Sequence, residues 1–286
     1  MKKSKTNLSV LLNDSLISYY YVGFILADGH ISNGNRLQMT VSSHDKEYLC
    51  SMAGYLGVEH VRGYERTYNG KPYKTVSFSA QDVDVIPKLT KKFDIKSDKT
   101  HFPPDIDVLK NFSSDKILSI IIGFIDGDGN IKKQYGRNDF SIAIKCHSSW
   151  LKVLEYFSIV ITGKNLARIN SLGYASLVLS RFTDIKKLKI FALDNRLPIM
   201  LRKWGIVNEN VKNRTERHIE NTSIVSDFLS RGLTISEICK ETGLSYSCVY
   251  AIIKRHGLKY EKHDKRKKHK RMSGEIKPFK NGLVYV

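Results

Sequence analysis

Two acidic residues a hundred positions apart, Asp28 and Asp128, close nearly identical segments: Tyr21-Val22-Gly23-Phe24-Ile25-Leu26-Ala27-Asp28-Gly29 and Ile121-Ile122-Gly123-Phe124-Ile125-Asp126-Gly127-Asp128-Gly129. Each is an apolar run with a small residue, three intervening positions, a second small residue and then Asp-Gly. The duplication predicts two equivalent helices, each bringing one carboxylate to a shared place. That place is unfavourable for them. A helix C-terminus disfavours negative charge by up to ~1 kcal/mol, and converging anions repel. A divalent cation between them resolves both conflicts. Mg2+ suits such a site, since it takes one or two protein carboxylates and fills its shell with waters and phosphate oxygens. Such a centre can activate water, neutralise a phosphate and stabilise a leaving alkoxide. Phosphodiester hydrolysis is the chemistry this pair could do.

Helices must position these carboxylates, and flanking residues mark where they start. Asn13-Asp14-Ser15 and Ser113-Ser114-Asp115 are suited to accept first-turn N–H groups. Apolar bodies follow over 16–27 and 117–127, and Gly29 suits a helix stop. Gly23-x-x-x-Ala27 and Gly123-x-x-x-Gly127 place small residues one turn apart on one face, so that two backbones can approach closely. That packing offsets the ~1 kcal/mol an interior glycine costs against alanine. The chain downstream of each segment also repeats. Residues 36–42 and 140–145 alternate as half-buried strands do, and each passes through a histidine (His44, His147) into a helical stretch, 45–56 or 148–161. Further strands are predicted over 60–68 and 73–80, then 166–170 and 174–180, with closing helices over 82–93 and 182–195. Allowing for a short strand beside each motif, the order α-β-β-α-β-β-α occurs twice.

On these residues the chain, over 10–205, resembles a monomeric two-repeat LAGLIDADG homing endonuclease. The resemblance implies an α+β fold of two pseudo-symmetric αββαββα repeats, 10–105 and 106–207. Motif helices would pack across the pseudo-two-fold while two antiparallel sheets form a saddle over the DNA major groove. It implies that Asp28 and Asp128 bind the catalytic metal, with Ala27 and Gly127 beside them in the metal site. A basic residue late in each repeat would assist near the scissile phosphate. Lys96 and Lys203 are taken for that role, with Lys99 and Arg202 as neighbouring candidates. Leu26 stands where the motif usually carries an acid, a place that is not the metal ligand. The implied cofactor is Mg2+, with Mn2+ able to substitute. The implied partner is double-stranded DNA with a long asymmetric target, bound by a monomer whose halves each cut one strand.

If Leu37, Met39 and Val41 face the core, alternation turns Arg36, Gln38 and Thr40 outward. Arginine reads guanine and glutamine reads adenine in the major groove. Similar faces are offered by Arg62, Tyr64, Arg66 and Tyr68, and by Thr75 and Ser77. In the second half they are Ser141 and Lys145, Arg168 and Asn170, and Tyr174 and Ser176.

Past Trp204 the pattern changes. Residues 208–217 read as a polar linker. Three short helices are predicted over 222–230, 235–242 and 246–255, with Thr242-Gly243-Leu244-Ser245 as the tight turn between the last two. This part, 218–260, resembles an all-α helix-turn-helix domain whose last helix enters the major groove by its N-terminal residues. Ser245, Tyr246, Ser247 and Tyr250 would face bases, and Lys254 and Arg255 phosphates. A small helical packing module is the alternative, and charge argues against it: residues 211–286 hold 17 Lys/Arg against 8 Asp/Glu. Within them, 261–286 reads as a basic arm that seeks phosphates.

The 286 residues carry a net charge of +19, which implies a polyanionic partner. The longest apolar run, 117–125, is interrupted by Ser119 and far shorter than the ~20 residues a bilayer span needs, so membrane attachment is not expected. Four cysteines without a Cys-x-x-Cys pair argue against a disulfide framework or structural zinc and for a reducing compartment. No apolar stretch with a cleavage site follows the basic start, so secretion is not expected, and the ends lack the residues of an intein. Lys/Asn/Ile/Ser-rich composition and the helix-turn-helix point to a bacterial or phage-infected cytoplasm rather than an organelle matrix. A non-cutting DNA-binding regulator and an RNA maturase are the competing functions on such a scaffold. Retention of both motif aspartates favours the nuclease.

Overall fold

Ser15 starts the first motif helix: its side chain accepts the Ser18 N–H at 3.2 Å, and α1 runs Leu16–Asp28. In this computed structural model, which describes residues 6–68, 71–133, 140–207 and 214–260, the chain divides into two units, 1–211 and 212–286. The first unit continues with β1 (Gly29–Ser32), β2 (Arg36–Ser42), a 3-10 turn (Ser43–Asp45), α2 (Lys46–Tyr55), β3 (Arg62–Tyr68), β4 (Lys71–Gln81) and α3 (Val85–Phe93). A short helix, α4 (Ile106–Lys110), leads into the second motif helix, α5 (Ser114–Asp128). Then come β5 (Asn130–Lys133), β6 (Phe140–Cys146), a 3-10 turn (Ser148–Trp150), α6 (Leu151–Thr162), β7 (Arg168–Ile169), β8 (Ala175–Leu179), α7 (Phe182–Asp194) and α8 (Leu201–Trp204). The αββαββα order therefore occurs twice. Sequence periodicity does not reveal α4 and α8, which are too short to show one.

Among the described residues the strands form two four-stranded antiparallel sheets, ordered β1-β2-β4-β3 and β5-β6-β8-β7. Their registers correspond. The row His30–Gln38–Ser79 of the first sheet matches Asn130–Ala143–Val178 of the second, and Arg62–Ser77–Thr40 matches Arg168–Ser176–Lys145. This register corrects one sequence expectation: His44 and His147 are not equivalent, because the β5–β6 connection is longer than that between β1 and β2. His147 caps the second 3-10 turn by accepting the Ser149 N–H at 3.3 Å. Its counterpart is Ser42, which accepts the His44 N–H at 3.4 Å.

Both motif helices are apolar on every side because every side is covered. Tyr19, Tyr20, Val22, Phe24 and Ile25 of α1, and Ile120, Ile121, Ile122, Phe124 and Ile125 of α5, are buried in one core with the inner faces of both sheets. The helices touch through their glycines. A Cβ on Gly23 would lie 1.9 Å from the Ile120 carbonyl oxygen, and one on Gly123 would lie 1.9 Å from that of Tyr20. Backbone cannot yield as a flexible side chain can, so Gly23→Ala or Gly123→Ala must push the helices apart. Overpacking of this kind costs about 1–3 kcal/mol, and thermal unfolding is expected to begin several degrees lower for either variant. Gly29 ends α1 as expected, but by another route than a left-handed cap. Its φ is −75°, and the chain turns so sharply into β1 that a Cβ would lie 2.6 Å from the Ile25 carbonyl oxygen.

The second unit has its own small core of Val225, Ile235, Ile238, Val249, Ile252 and Ile253. It is built by α9 (Arg214–Ser230), α10 (Ile235–Thr242) and α11 (Tyr246–His256). Thr234 and Glu237 form a reciprocal capping box at the start of α10, and Gly243, at φ +68°, supplies the left-handed turn before α11. Helix α9 begins eight residues before the predicted 222, so 214–217 is helix rather than linker; 208–213 and the basic arm 261–286 lie outside the described residues. No helix among the described residues is long and apolar enough to cross a membrane.

Candidate active site

The motif helices deliver Asp28 and Asp128 side by side, and the small residues decide how close they come. A Cβ on Gly127 would collide with the Ala27 Cβ at 2.2 Å and lie 3.4 Å from Cγ and Oδ2 of Asp28. Without a side chain at 127, the Asp28 carboxylate rests beside the end of the other motif helix. Burial pushes Asp28 up to about 6, the negative charge of Asp128 adds to the rise, and Lys203 and Lys99 oppose it. Burial also raises Asp128, against Lys99 and Lys203. Neither carboxylate is sealed off from solvent, so an ion or a phosphate can reach them.

The lysines answer the two helix C-termini. Lys203, on α8, shares its three N–H groups among the carbonyl oxygens of Ile125 (3.1 Å), Asp126 (2.5 Å), Gly127 (2.8 Å) and Gly129 (2.8 Å). Lys99 does the same for α1, donating to Leu26 at 2.9 Å and to Ala27. A cation at a helix C-terminus satisfies orphan carbonyls and the dipole together. Each lysine also acts across the axis. Asp28 is stabilised first by Lys203 and Asp128 first by Lys99. Burial lowers both lysines against this pull.

Lys96 is not brought here. It lies at the surface, half exposed, paired with Asp94. Asp94 takes a left-handed conformation, φ 53°, and redirects the chain so that Lys99 reaches the site instead. Arg202, the other basic candidate, makes a bidentate pair with Asp45 of the first repeat, Nε to Oδ1 at 2.7 Å and Nη2 to Oδ2 at 2.8 Å. In the first repeat the corresponding loop is tied differently: Trp150 Nε1 donates to the Lys99 carbonyl at 2.9 Å and Ser149 Oγ to that of Thr100 at 2.9 Å. A cleft of ≈ 990 Å³ opens at this centre, lined by Asp28, Gly127, Lys203, Thr40, Asp45 and Arg202 among others.

One participant has no role in the sequence reading. Asp126 is 1% exposed and accepts three hydrogen bonds, from Tyr20 Oη (2.5 Å), the Met200 N–H (3.0 Å) and Trp204 Nε1 (2.7 Å). Burial holds it at about 6 even so, against those donors and Lys203. It fastens α8, and with it Lys203, onto α5. An acid inside an apolar run is costly unless paired, and that was the available signal. Leu26, its counterpart in the first motif, is simply core.

The donor set fits a hard divalent cation. Two accessible carboxylates repel each other there. Among the described residues no three His, Cys, Asp or Glu side chains cluster, so waters, phosphate oxygens or main chain would complete the shell. The carbonyl oxygens of Ala27 and Gly127 accept from Lys99 and Lys203 in this structure.

The outward strand positions share one face of each sheet. On the first, Arg36, Gln38 and Thr40 line up with Arg62, Tyr64, Thr75 and Ser77 by register. Thr75 and Ser77 are the buried floor between larger neighbours. Arg36 Nε donates to Ser79 Oγ at 2.6 Å. The side chains of Arg66 and Tyr68 lie outside the described residues. On the second sheet, Lys145 and Arg168 flank Ser176, with Ala143 and then Ser141 further along the face; Ser141 and Ser176 are buried, and Tyr174 is half exposed. Asn170 acts locally, closing its own hairpin: its Oδ1 accepts the Leu172 N–H at 2.9 Å and the Tyr174 N–H at 3.1 Å. Ser245 is likewise a helix cap, accepting the Cys248 N–H at 3.3 Å. Tyr246 and Tyr250 are exposed and stacked, with centroids 6.4 Å apart. Ser247, Lys254 and Arg255 are exposed beside them.

No protein-family model matches the chain, and no curated protein matches it. Among solved structures it is similar to a single-lysine variant of I-SmaMI, at 13% identity over 84% of this chain and 97% of that one, TM-score 0.46. It is similar to LAGLIDADG homing endonuclease I-GzeII in complex with its DNA target, at 13% identity, 82% and 95% coverage, TM-score 0.39. For LAGLIDADG meganuclease I-CpaMI bound to uncleaved DNA the values are 14%, 82%, 97% and 0.38. At this distance the functional argument rests on the chain's own residues. Two motifs joined through their small residues at the axis of two αββαββα repeats, each with a four-stranded antiparallel sheet, are the architecture that the sequence resemblance implies.

Proposed function

We propose that the chain is a sequence-specific, divalent-metal-dependent double-strand DNA endonuclease acting as a monomer. The observation that carries this reading is the pair Asp28 and Asp128, each at the C-terminus of a motif helix and each faced by a lysine across the axis. Asp28 and Asp128 would hold the cation, Mg2+ or in its place Mn2+. When bound it supplies an activated water and neutralises the phosphate and the leaving oxygen. Lys99 and Lys203 hold positive charge beside the carboxylates, where a phosphate backbone would sit, and keep both helix ends in place; Lys99 thus takes the role first assigned to Lys96.

The polar faces of the two sheets form the saddle on the major groove. Arg36, Gln38 and Arg62 read bases on the first, and Lys145 and Arg168 hold DNA on the second. In the second unit, α11 acts as the reading helix of a helix-turn-helix, with Tyr246, Ser247 and Tyr250 toward bases and Lys254 and Arg255 toward phosphates. The charge of +19 makes binding strongly salt-dependent.

The test is incubation of the protein with a randomised duplex library and Mg2+, followed by sequencing of the cut ends. Discrete cuts at one long asymmetric site are expected. Selective binding without cutting, in Mg2+ and in Mn2+, would overturn the nuclease and leave a DNA-binding regulator.

A further inference from the structure

The matching registers of the two sheets allow a row-by-row comparison of their outer faces. The row nearest the edge strands' centre reads His30–Gln38–Ser79 on the first sheet and Asn130–Ala143–Val178 on the second. Arg36 of the first sheet corresponds to Ser141 of the second. The neighbouring row keeps its arginine, Arg62 against Arg168. The side chains able to make bidentate bonds to purines, Arg36 and Gln38, are thus replaced in the second repeat by one hydroxyl and one methyl. Val178 is 40% exposed on a face that, outside its own row, carries Lys132, Ser141, Lys145, Arg168 and Ser176. Strand propensity would explain a valine there, but not its partner. Alanine is a poor strand former, and Ala143 stands directly opposite Val178 and is itself partly exposed.

We propose that Ala143 and Val178 form an apolar reading patch for thymine C5-methyl groups. Part of the half-site under the second sheet is then recognised by methyl contact, where the corresponding positions of the first sheet offer hydrogen bonds to purines. This rests on the reading of the sheet faces as the DNA-binding surface. Neither side chain can donate or accept a hydrogen bond, and the apolar feature a major groove offers is the thymine methyl, for which alanine and other small apolar groups are suitable partners. Asn130 completes the row with the side chain that pairs bidentately with adenine. All three members of the row therefore favour A·T pairs, on one strand or the other.

The experiment selects duplexes from a randomised pool by binding to the full chain without divalent metal, then repeats the selection with Val178→Asn. The half whose base preferences change in the variant is the one under the second sheet; unchanged preferences in the other half show that the variant folds. The selected duplex is then remade with deoxyuridine for thymidine, which removes only the methyl, one half at a time. In the half that Val178→Asn alters, uracil is expected to weaken wild-type binding about fourfold per contacted methyl and to leave the variant unaffected. Preferences unchanged by Val178→Asn in both halves, or uracil without effect in the altered half, would overturn the methyl patch while leaving DNA binding intact. Enrichment of no sequence at all would overturn the DNA-binding reading and this inference with it.

Discussion

Asp128→Asn is expected to stop strand cleavage, by on the order of 10²–10³-fold, the scale of removing a stabilising group from a preorganised site, and to leave DNA affinity within about tenfold of wild type. The side chain contributes to the chemistry through its charge, and asparagine keeps its volume. In the proposed reading affinity comes from two sheet faces and many basic residues, none of which the change touches. The same variant has a second signature. The Asp28 carboxyl, ordinarily near 3.8, is held at about 6, first by burial and then by the charge of Asp128. A carboxyl raised in the folded state binds its proton there more tightly than in the unfolded chain. It therefore contributes stability at low pH, which is lost as pH rises from about 4 through about 6. Removing the Asp128 charge returns Asp28 toward its ordinary value and shrinks that loss. The metal-free variant should melt above the metal-free wild type at pH 7–8, and added Mg2+ should raise the melting temperature of the wild type more than that of the variant. Cleavage assays, equilibrium binding and thermal melting with and without Mg2+ check the three statements. Lost binding with a lowered melting temperature would make Asp128 a structural residue.

Those carboxylates were legible in the sequence because each effect that places them is local. A helix is marked by its capping serine and its apolar body, the close approach by Gly23 and Gly123, and the strands by strict alternation at Leu37, Met39 and Val41. What escaped is set by contacts between distant segments. Lys96 and Lys99 are indistinguishable in a lysine-rich chain until the left-handed Asp94 turns the backbone. Asn170 and Ser245 have the chemistry of base readers, yet short polar side chains also satisfy nearby backbone N–H groups, and here both do. The apparent symmetry of His44 and His147 fails because pairing register, rather than distance along the chain, decides equivalence. Asp126 is the fullest case: its partners come from two distant stretches of the chain, Tyr20 from one and Met200 and Trp204 from the other, and no spacing rule joins them to it.

Asp126→Ala is accordingly the stability variant with the largest expected effect. Asp126 Oδ2 accepts from Tyr20 and Met200 while Oδ1 accepts from Trp204, so the truncation strands the Met200 and Trp204 donors, leaves Tyr20 Oη only the Pro198 carbonyl at 2.9 Å, and empties a carboxylate's volume. Leaving a buried donor without its acceptor costs about 1–3 kcal/mol each, so two of them in a domain of this size lower the melting temperature by roughly 10 °C. Asp126→Asn separates the contributions. With its oxygen at the Oδ2 position it still accepts from Tyr20 and Met200, but its amide then faces Trp204 Nε1, donor against donor, a loss of about 1–3 kcal/mol. Adding Trp204→Phe removes the opposing donor. The double variant should therefore lose less than the two single changes combined, a coupling that a double-mutant cycle in thermal or urea unfolding measures. Because α8 carries both Trp204 and Lys203, a loosened α8 also withdraws the ammonium from the Gly127 carbonyl and from Asp28. Cutting should slow in Asp126→Asn at temperatures where the protein remains fully folded, with DNA binding retained. Equal loss of cutting and folding, with no coupling to Trp204, would reduce Asp126 to a core residue with no part in placing Lys203.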